Sequence, residues 1–112
     1  MVSPREVNVL TSGIHNINWD NMAFDWDDSK NDWLRENRLI SFQEIVIRVK
    51  EGYVIHSERH PNLTKYSNQH MLYVWIRDYV WMVPYVFNEN RKEVFLKTAY
   101  PSRRLTKEFG RH

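Results

Sequence analysis

Ser41 and Glu44 have the spacing of a capping box, and behind them Phe42, Ile45, Val46 and Val49 recur at i, i+3, i+4 and i+7. That spacing gathers apolar side chains on one face of a helix. Gly52 follows at the position past a helix end where a left-handed residue is wanted, a conformation glycine adopts without steric cost. Upstream, Asp27, Asp28 and Ser29 offer N-cap side chains and negative charge for the dipole of an earlier helix. This helix spans about residues 29–38, turns Trp33 and Leu34 to the core, and ends in Arg35 and Arg38, whose charges suit a C-terminus. Residues 22–26 read as a short strand ahead of it.

From residue 53 the period changes to two, and residues 53–56, 69–77, 79–88 and 93–98 read as four strands. Arg77 and Asp78 predict a tight hairpin and residues 88–92 a longer one, so the last three strands form an antiparallel meander. Along the second of the four, His70, Leu72, Val74 and Ile76 share one face, while Gln69, Met71, Tyr73, Trp75 and Arg77 share the other. Both faces carry apolar weight. Pro84 cannot donate a ladder hydrogen bond and implies an edge position or a bulge. A last helix is expected from Ser102, as N-cap, to Phe109, anchored by Leu105 and Phe109, closed by Gly110 and basic on its outer face. The expected fold class is α+β: two N-terminal helices packed on a four-stranded antiparallel meander, with a short basic C-terminal helix. Residues 1–21 follow neither period and read as a flexible arm, or as a segment ahead of a natural start at Met22; residues 22–112 form a single domain.

The chain has 112 residues, of which 42% are hydrophobic and 14% aromatic, which suits one compact core rather than a disordered chain or several domains. There is no cysteine, so a disulfide scaffold, thiolate metal sites and cysteine nucleophiles are excluded. The longest aromatic and aliphatic run, residues 79–87, falls far short of the roughly 20 residues of a membrane span. The first residues lack the basic and apolar stretches of an export signal, so a cytoplasmic protein without a membrane partner is expected. Net charge is only +2, but residues 1–44 carry 4 basic and 8 acidic groups against 12 and 6 in residues 45–112. Lys97, Arg103, Arg104, Lys107 and Arg111 face only Glu108 in the tail. Such a stretch is a seat for a phosphate-bearing partner or a solvated helix face.

With three glycines there is no G-x-G-x-x-G and no P-loop, and G-x-S-x-G is absent too, so no nucleotide cofactor is expected. His56 and His60 bracket Glu58, but in a strand-to-loop segment an i,i+4 spacing does not join side chains as it would on a helix, and no metal site is expected there. The Asp run near residue 27 is explained by helix capping rather than by paired glycosidase carboxylates. What remains is two groups of cationic, imidazole and phenolic side chains: His60, Lys65 and Tyr66 in residues 60–66, and Lys97, Tyr100, Arg103 and Arg104 in residues 97–104. Metal-free RNA cleavage needs a base for the 2′-hydroxyl, an acid for the leaving 5′-oxygen and fixed cations for charge gathering on phosphorus. These residues include all three types. A histidine titrates near neutrality, and a lysine crowded by arginines has its pKa lowered, because like charges disfavour its protonated form. The same residues have plainer uses: Lys97 as a solvated strand residue, His56 or His70 as a hydrogen-bonded core histidine, Tyr66 and Tyr100 as packing.

Phe24-Asp25-Trp26-Asp27-Asp28-Ser29-Lys30, then Ser41-Phe42-Gln43-Glu44, then Ser102-Arg103-Arg104-Leu105-Thr106-Lys107-Glu108-Phe109 together resemble the BrnT-like toxins, a branch of the RelE/ParE-type toxins of bacterial toxin–antitoxin modules. The resemblance covers roughly residues 24–109. That family opens on an aromatic-acidic-Trp segment followed by a lysine, starts a helix with Ser-Phe-x-Glu and ends in an arginine-rich helix closed by an aromatic. Its usual Lys-His-Gly turn between the helices is replaced here by Asn37-Arg38-Leu39, and Tyr100-Pro101 is an insertion. The resemblance implies a small RelE-like domain and an endoribonuclease, acting on free RNA or on ribosome-bound mRNA and inhibiting translation. It also implies an adjacently encoded antitoxin, acidic and of ribbon-helix-helix type. In that frame Lys97, Arg103 and Arg104 are phosphate and transition-state cations. His60 and Tyr100 join them as catalytic candidates, Lys65, Tyr66 and Lys107 as RNA contacts, with no cofactor or metal. The alternative is a toxin of the same fold that acts without catalysis, by occupying a protein target such as a topoisomerase or an acidic partner.

Overall fold

The computed structural model describes residues 18–59 and 69–110. They form a six-stranded mixed sheet with helices on both faces. The chain enters through a 3-10 turn at Trp19–Asn21, capped by the Asn18 side chain accepting from the Asp20 amide. Strand β1 (Ala23–Trp26) follows, then helices α1 (Asp28–Asn37) and α2 (Phe42–Lys50), then β2 (Val54–Arg59), β3 (Gln69–Ile76), β4 (Tyr79–Asn88), β5 (Glu93–Leu96), the two-residue β6 (Tyr100–Pro101) and helix α3 (Arg103–Gly110).

Each helix begins where side-chain chemistry tells it to. Asp27 Oδ1 accepts from the amides of Ser29 and Lys30, and these hydrogen bonds, led by that of the Ser29 hydroxyl, hold its carboxyl below the usual range. Ser41 Oγ accepts from the Glu44 amide, which is half of a capping box. The other half is missing, because the Glu44 carboxylate is taken by Arg77 in the β3–β4 turn. Gly52 closes α2 at φ +95, as its place past the helix end predicts. Ser102 Oγ caps α3 through the Leu105 amide.

The meander of β2, β3, β4 and β5 is antiparallel throughout, and Arg77 and Asp78 turn between β3 and β4 with φ of 53 and 63, the signs of a type I′ hairpin. The sheet differs from the four-stranded expectation at its far edge. β1 pairs in parallel with β5, Phe24 opposite Val94 and Trp26 opposite Leu96. A parallel neighbour is reached by a long crossover and leaves no turn signature, so the sequence showed the strand but not its place. β6 pairs with β4 at Met82 and Trp81 and lies outside the strands that the alternation predicts.

Pro84 explains that last interruption. It lies within the interior strand β4, opposite Met71 on β3, and its carbonyl accepts from the Lys97 amide at 2.8 Å on the other side. A residue's amide and carbonyl point the same way in an antiparallel ladder, so the donor that proline lacks is missing on the β5–β6 side. The neighbouring strand accordingly breaks at residues 97–99 and resumes as β6.

One face of the sheet carries the main core. Leu72, Val74, Ile76, Val83, Tyr85, Val94 and Leu96 are buried there against Leu34 of α1 and Phe42, Ile45 and Val49 of α2. Asn31, 4% exposed, ties the two helices by accepting from the Phe42 amide and donating to Gln43 Oε1, both at 2.8 Å. Two expectations change here. Trp33 is 40% exposed and lies between the cations of Lys30 and Arg38, since the buried stripe of α1 runs through Asn31 and Leu34, at i and i+3. Trp19, assigned to the arm by its lack of period, is buried against Phe24 and Tyr85, so the folded unit includes residues before Met22. Residues 1–17 lie outside the described residues. On the opposite face α3 packs over Val80, with Leu105 buried and the Thr106 hydroxyl accepting from the Val80 amide. No helix among the described residues is long and apolar enough to cross a membrane.

Candidate functional site

The face of the sheet that carries α3 also carries a polar cluster. It starts from a bulge: the register of β2 against β3 shifts between Val54 and His56, so Val54 stays in the core while His56 and Glu58 turn to the other face, opposite Tyr73 and Met71. Within β2 the two are at i and i+2 and therefore neighbours on one face. His56 Nε2 lies 3.1 Å from Glu58 Oε2, and the Tyr73 hydroxyl donates to Glu58 Oε1 at 2.6 Å. The His56 and Tyr73 rings stand 5.4 Å apart. Both carboxylate oxygens are thus occupied, while the Glu58 side chain is still 42% exposed.

Tyr73 ties this cluster to the C-terminal elements. Burial pushes its phenol well above the ordinary tyrosine range, and the hydrogen bond and charge of Glu58 push it further. The Arg104 guanidinium in the first turn of α3 is near enough to pull it partly back, and the Tyr100 phenol of β6 acts with Glu58. Carboxylate, imidazole and phenol therefore meet on a partly open surface, within electrostatic reach of the Arg104 guanidinium and of the Tyr100 phenol two strands away across Met82.

Of the residues singled out in the sequence, Tyr100 and Arg104 reach this cluster through charge rather than contact. Arg104 also pairs with Glu108 at 3.1 Å, a pair with side chains 75% and 57% exposed. Lys97 lies in the break between β5 and β6, exposed, its amine 5.9 Å from the Phe95 ring centroid. Arg103 and Lys107 are exposed at i and i+4 on α3, without an ion-pair partner among the described residues. His60, Lys65 and Tyr66 lie outside the described residues. Among the described residues no group of three or more His, Asp or Glu side chains is placed to hold a metal ion.

The sequence reading missed Glu58 and Tyr73 and gave His56 only a structural role. The signal was the i,i+2 spacing of His56 and Glu58, which was weighed only at helical i,i+4 spacing with His60. Even strict alternation would have misplaced it, putting both on the core face with Val54, because the bulge carries no clear sequence mark. The chain matches no protein-family model, no curated protein and no solved structure.

Proposed function

We propose that this chain is a metal-independent endoribonuclease, the toxin of a toxin–antitoxin module, working at the His56–Glu58–Tyr73–Arg104 cluster. The observation that carries the reading is the double use of Glu58. One carboxylate touches an imidazole and a phenol on a partly open sheet face, within electrostatic reach of a guanidinium. The residue types are those that RNA transesterification requires. Glu58 takes the proton of the 2′-hydroxyl, and the 2′-oxygen bonds to phosphorus as the bond to the 5′-oxygen breaks. His56 gives its proton to that departing oxygen. The products are a 2′,3′-cyclic phosphate and a 5′-hydroxyl. The 3.1 Å contact between the two side chains then returns the proton from Glu58 to His56, and the site is reset. Arg104 holds the charge on the phosphoryl oxygens, Tyr100 contacts the phosphate, and Lys97, Arg103 and Lys107 draw the RNA backbone in.

The resemblance to BrnT-like toxins, carried by residues 24–109, supports the same reading and adds an acidic ribbon-helix-helix antitoxin as the neutralising partner. The test is expression of the chain alone, followed by sequencing of RNA ends. Growth arrest with 2′,3′-cyclic phosphate ends, lost in Glu58→Gln and unaffected by chelator in vitro, is expected. Arrest with intact RNA would overturn the ribonuclease reading in favour of a toxin that occupies a protein target.

A further inference from the structure

A groove of about 670 Å³ opens beside the cluster, between the C-terminal ends of α2 and α3 and the β3–β4 turn. Its walls are two aromatic rings, Tyr53 and Trp75, and its rim carries Arg48, Arg77 and Asp78. Tyr53 is 48% exposed, with the Arg48 guanidinium 5.6 Å from its ring centroid. Trp75 lies under the end of α3, where a side-chain carbon built on Gly110 would come within 3.2 Å of the indole. Glycine at this position lets the helix end on the ring without filling the groove.

The cations are not a bare phosphate site. Arg77 is held by both Glu44 oxygens and the Leu39 carbonyl, and Arg48 by Glu51, so each already has a carboxylate partner. Each still keeps donors to spare: a guanidinium has five N–H groups, and the Nη1 of Arg77 and the Nη2 of Arg48 make none of these bonds. With the charge largely balanced, the aromatic walls dominate the chemistry of the groove. Flat faces with a few orienting polar groups fit a planar heterocycle, and stacking on such rings holds any base by its π-face.

We infer that the groove between Tyr53 and Trp75 is a nucleobase subsite, which stacks a base of single-stranded RNA while Asp78 accepts from its N–H edge and the spare donors of Arg48 and Arg77 meet its acceptors. Trp75 follows Tyr73 by two residues on the same face of β3, about 7 Å along the strand, so a base seated here lies next to the proposed cutting groups. Single-stranded RNA is the substrate class because a base enters such a groove only when unstacked from its neighbours. The inference rests on the ribonuclease reading for the identity of the substrate, while the groove itself stands on its own lining.

The experiment is calorimetric titration of the full chain with the four ribonucleoside 5′-monophosphates, with ribose 5-phosphate and inorganic phosphate as controls. At least one nucleotide is expected to bind in the sub-millimolar range and the controls not to bind. Tyr53→Ala and Arg48→Ala should each weaken binding about tenfold without lowering the melting temperature, whereas Glu58→Gln should leave it unchanged. Tyr53→Phe, which keeps the ring, should bind like the parent. Absence of binding for all four nucleotides, equal binding of ribose 5-phosphate, or binding indifferent to Tyr53→Ala would overturn the inference. Nucleotide binding by a chain that cuts no RNA would retain the groove and remove the ribonuclease, whereas RNA cutting without nucleotide binding would do the reverse.

Discussion

The Tyr73 hydroxyl and the Glu58 carboxylate, on adjacent antiparallel strands, share a 2.6 Å hydrogen bond that fixes one oxygen of Glu58 while His56 holds the other. Tyr73 therefore positions the carboxylate that the proposed reaction uses as base. Tyr73→Phe removes the donor and keeps the ring. RNA cleavage should fall by about tenfold, and stability by about 1 kcal/mol, since the freed oxygen of the part-exposed Glu58 can be met by water. Initial rates beside urea melts check this, and an unchanged rate would remove Tyr73 from the site.

The two tyrosines give the fold an alkaline limit. Burial pushes the Tyr85 phenol up to about 12, its hydrogen bond with Ser57 offsetting part of the shift, and Tyr73 is raised as well. Above the ordinary value of 10.0 the unfolded chain loses these protons first, so the folded state binds more of them and stability declines with rising pH. The contribution is complete below pH 10 and disappears as pH rises through the folded values. Tyr85 alone should account for a loss on the order of 2–3 kcal/mol by pH 12. Denaturant melts from pH 9 to 12 should show the decline, and Tyr85→Phe should flatten it.

Arg103 and Arg104 are adjacent in sequence, but they differ in surroundings, because successive helix positions are turned by about 100°. Arg104 acts on Tyr73, while Arg103 has no ion-pair partner among the described residues. Arg104→Ala should therefore lower the maximal rate of RNA cleavage by about a hundredfold, as for other lost transition-state cations. Arg103→Ala should mainly weaken RNA binding and reduce its salt dependence. Both should melt within about 0.5 kcal/mol of the parent, because exposed charges contribute little to folding.

How far these features could be read from the sequence depends on whether a local signal existed. The α2 helix announced itself through Ser41, Glu44, the spacing of Phe42, Ile45 and Val49, and Gly52, each a near-neighbour effect. β4 was legible over its full length because alternation and two hairpins bound it. β1 was visible as a strand, but nothing local shows that it lies parallel to β5. Tyr100 and Arg104 were chosen for charge and chemistry, and both act on Tyr73 through charge. The carboxylate that the proposed reaction needs, Glu58, depended on a bulge one residue long, and no pattern of period two survives a register shift.

Phe42 tests the core side of the molecule. It is fully buried, its ring is 5.7 Å from that of Trp26, and its amide is bound to Asn31. Phe42→Ala keeps the backbone bond and empties the side-chain volume between α2 and the β1 edge, so a loss of about 3–5 kcal/mol is expected. A change below 1 kcal/mol in denaturant melts would show that the site collapses around the missing ring.

The turn between α1 and α2 contains a strain that can be relieved. Leu39 is 73% exposed and has φ 56, a left-handed conformation in which a side chain crowds the backbone. Its carbonyl accepts from Arg77, and the next residue, Ile40, is buried, so the turn cannot relax without moving both. Leu39→Gly should remove the roughly 1–2 kcal/mol cost of the left-handed conformation and lose part of that gain to the greater freedom of glycine in the unfolded chain. The Arg77 bond, made by the backbone, is kept. A net gain of about 0.5–1 kcal/mol in the denaturant midpoint is expected, with no change in RNA cleavage. Leu39→Ala, which retains a β-carbon, should gain nothing; equal stabilisation by both substitutions would show that the exposed leucine side chain, and not its backbone angle, was the source of the cost.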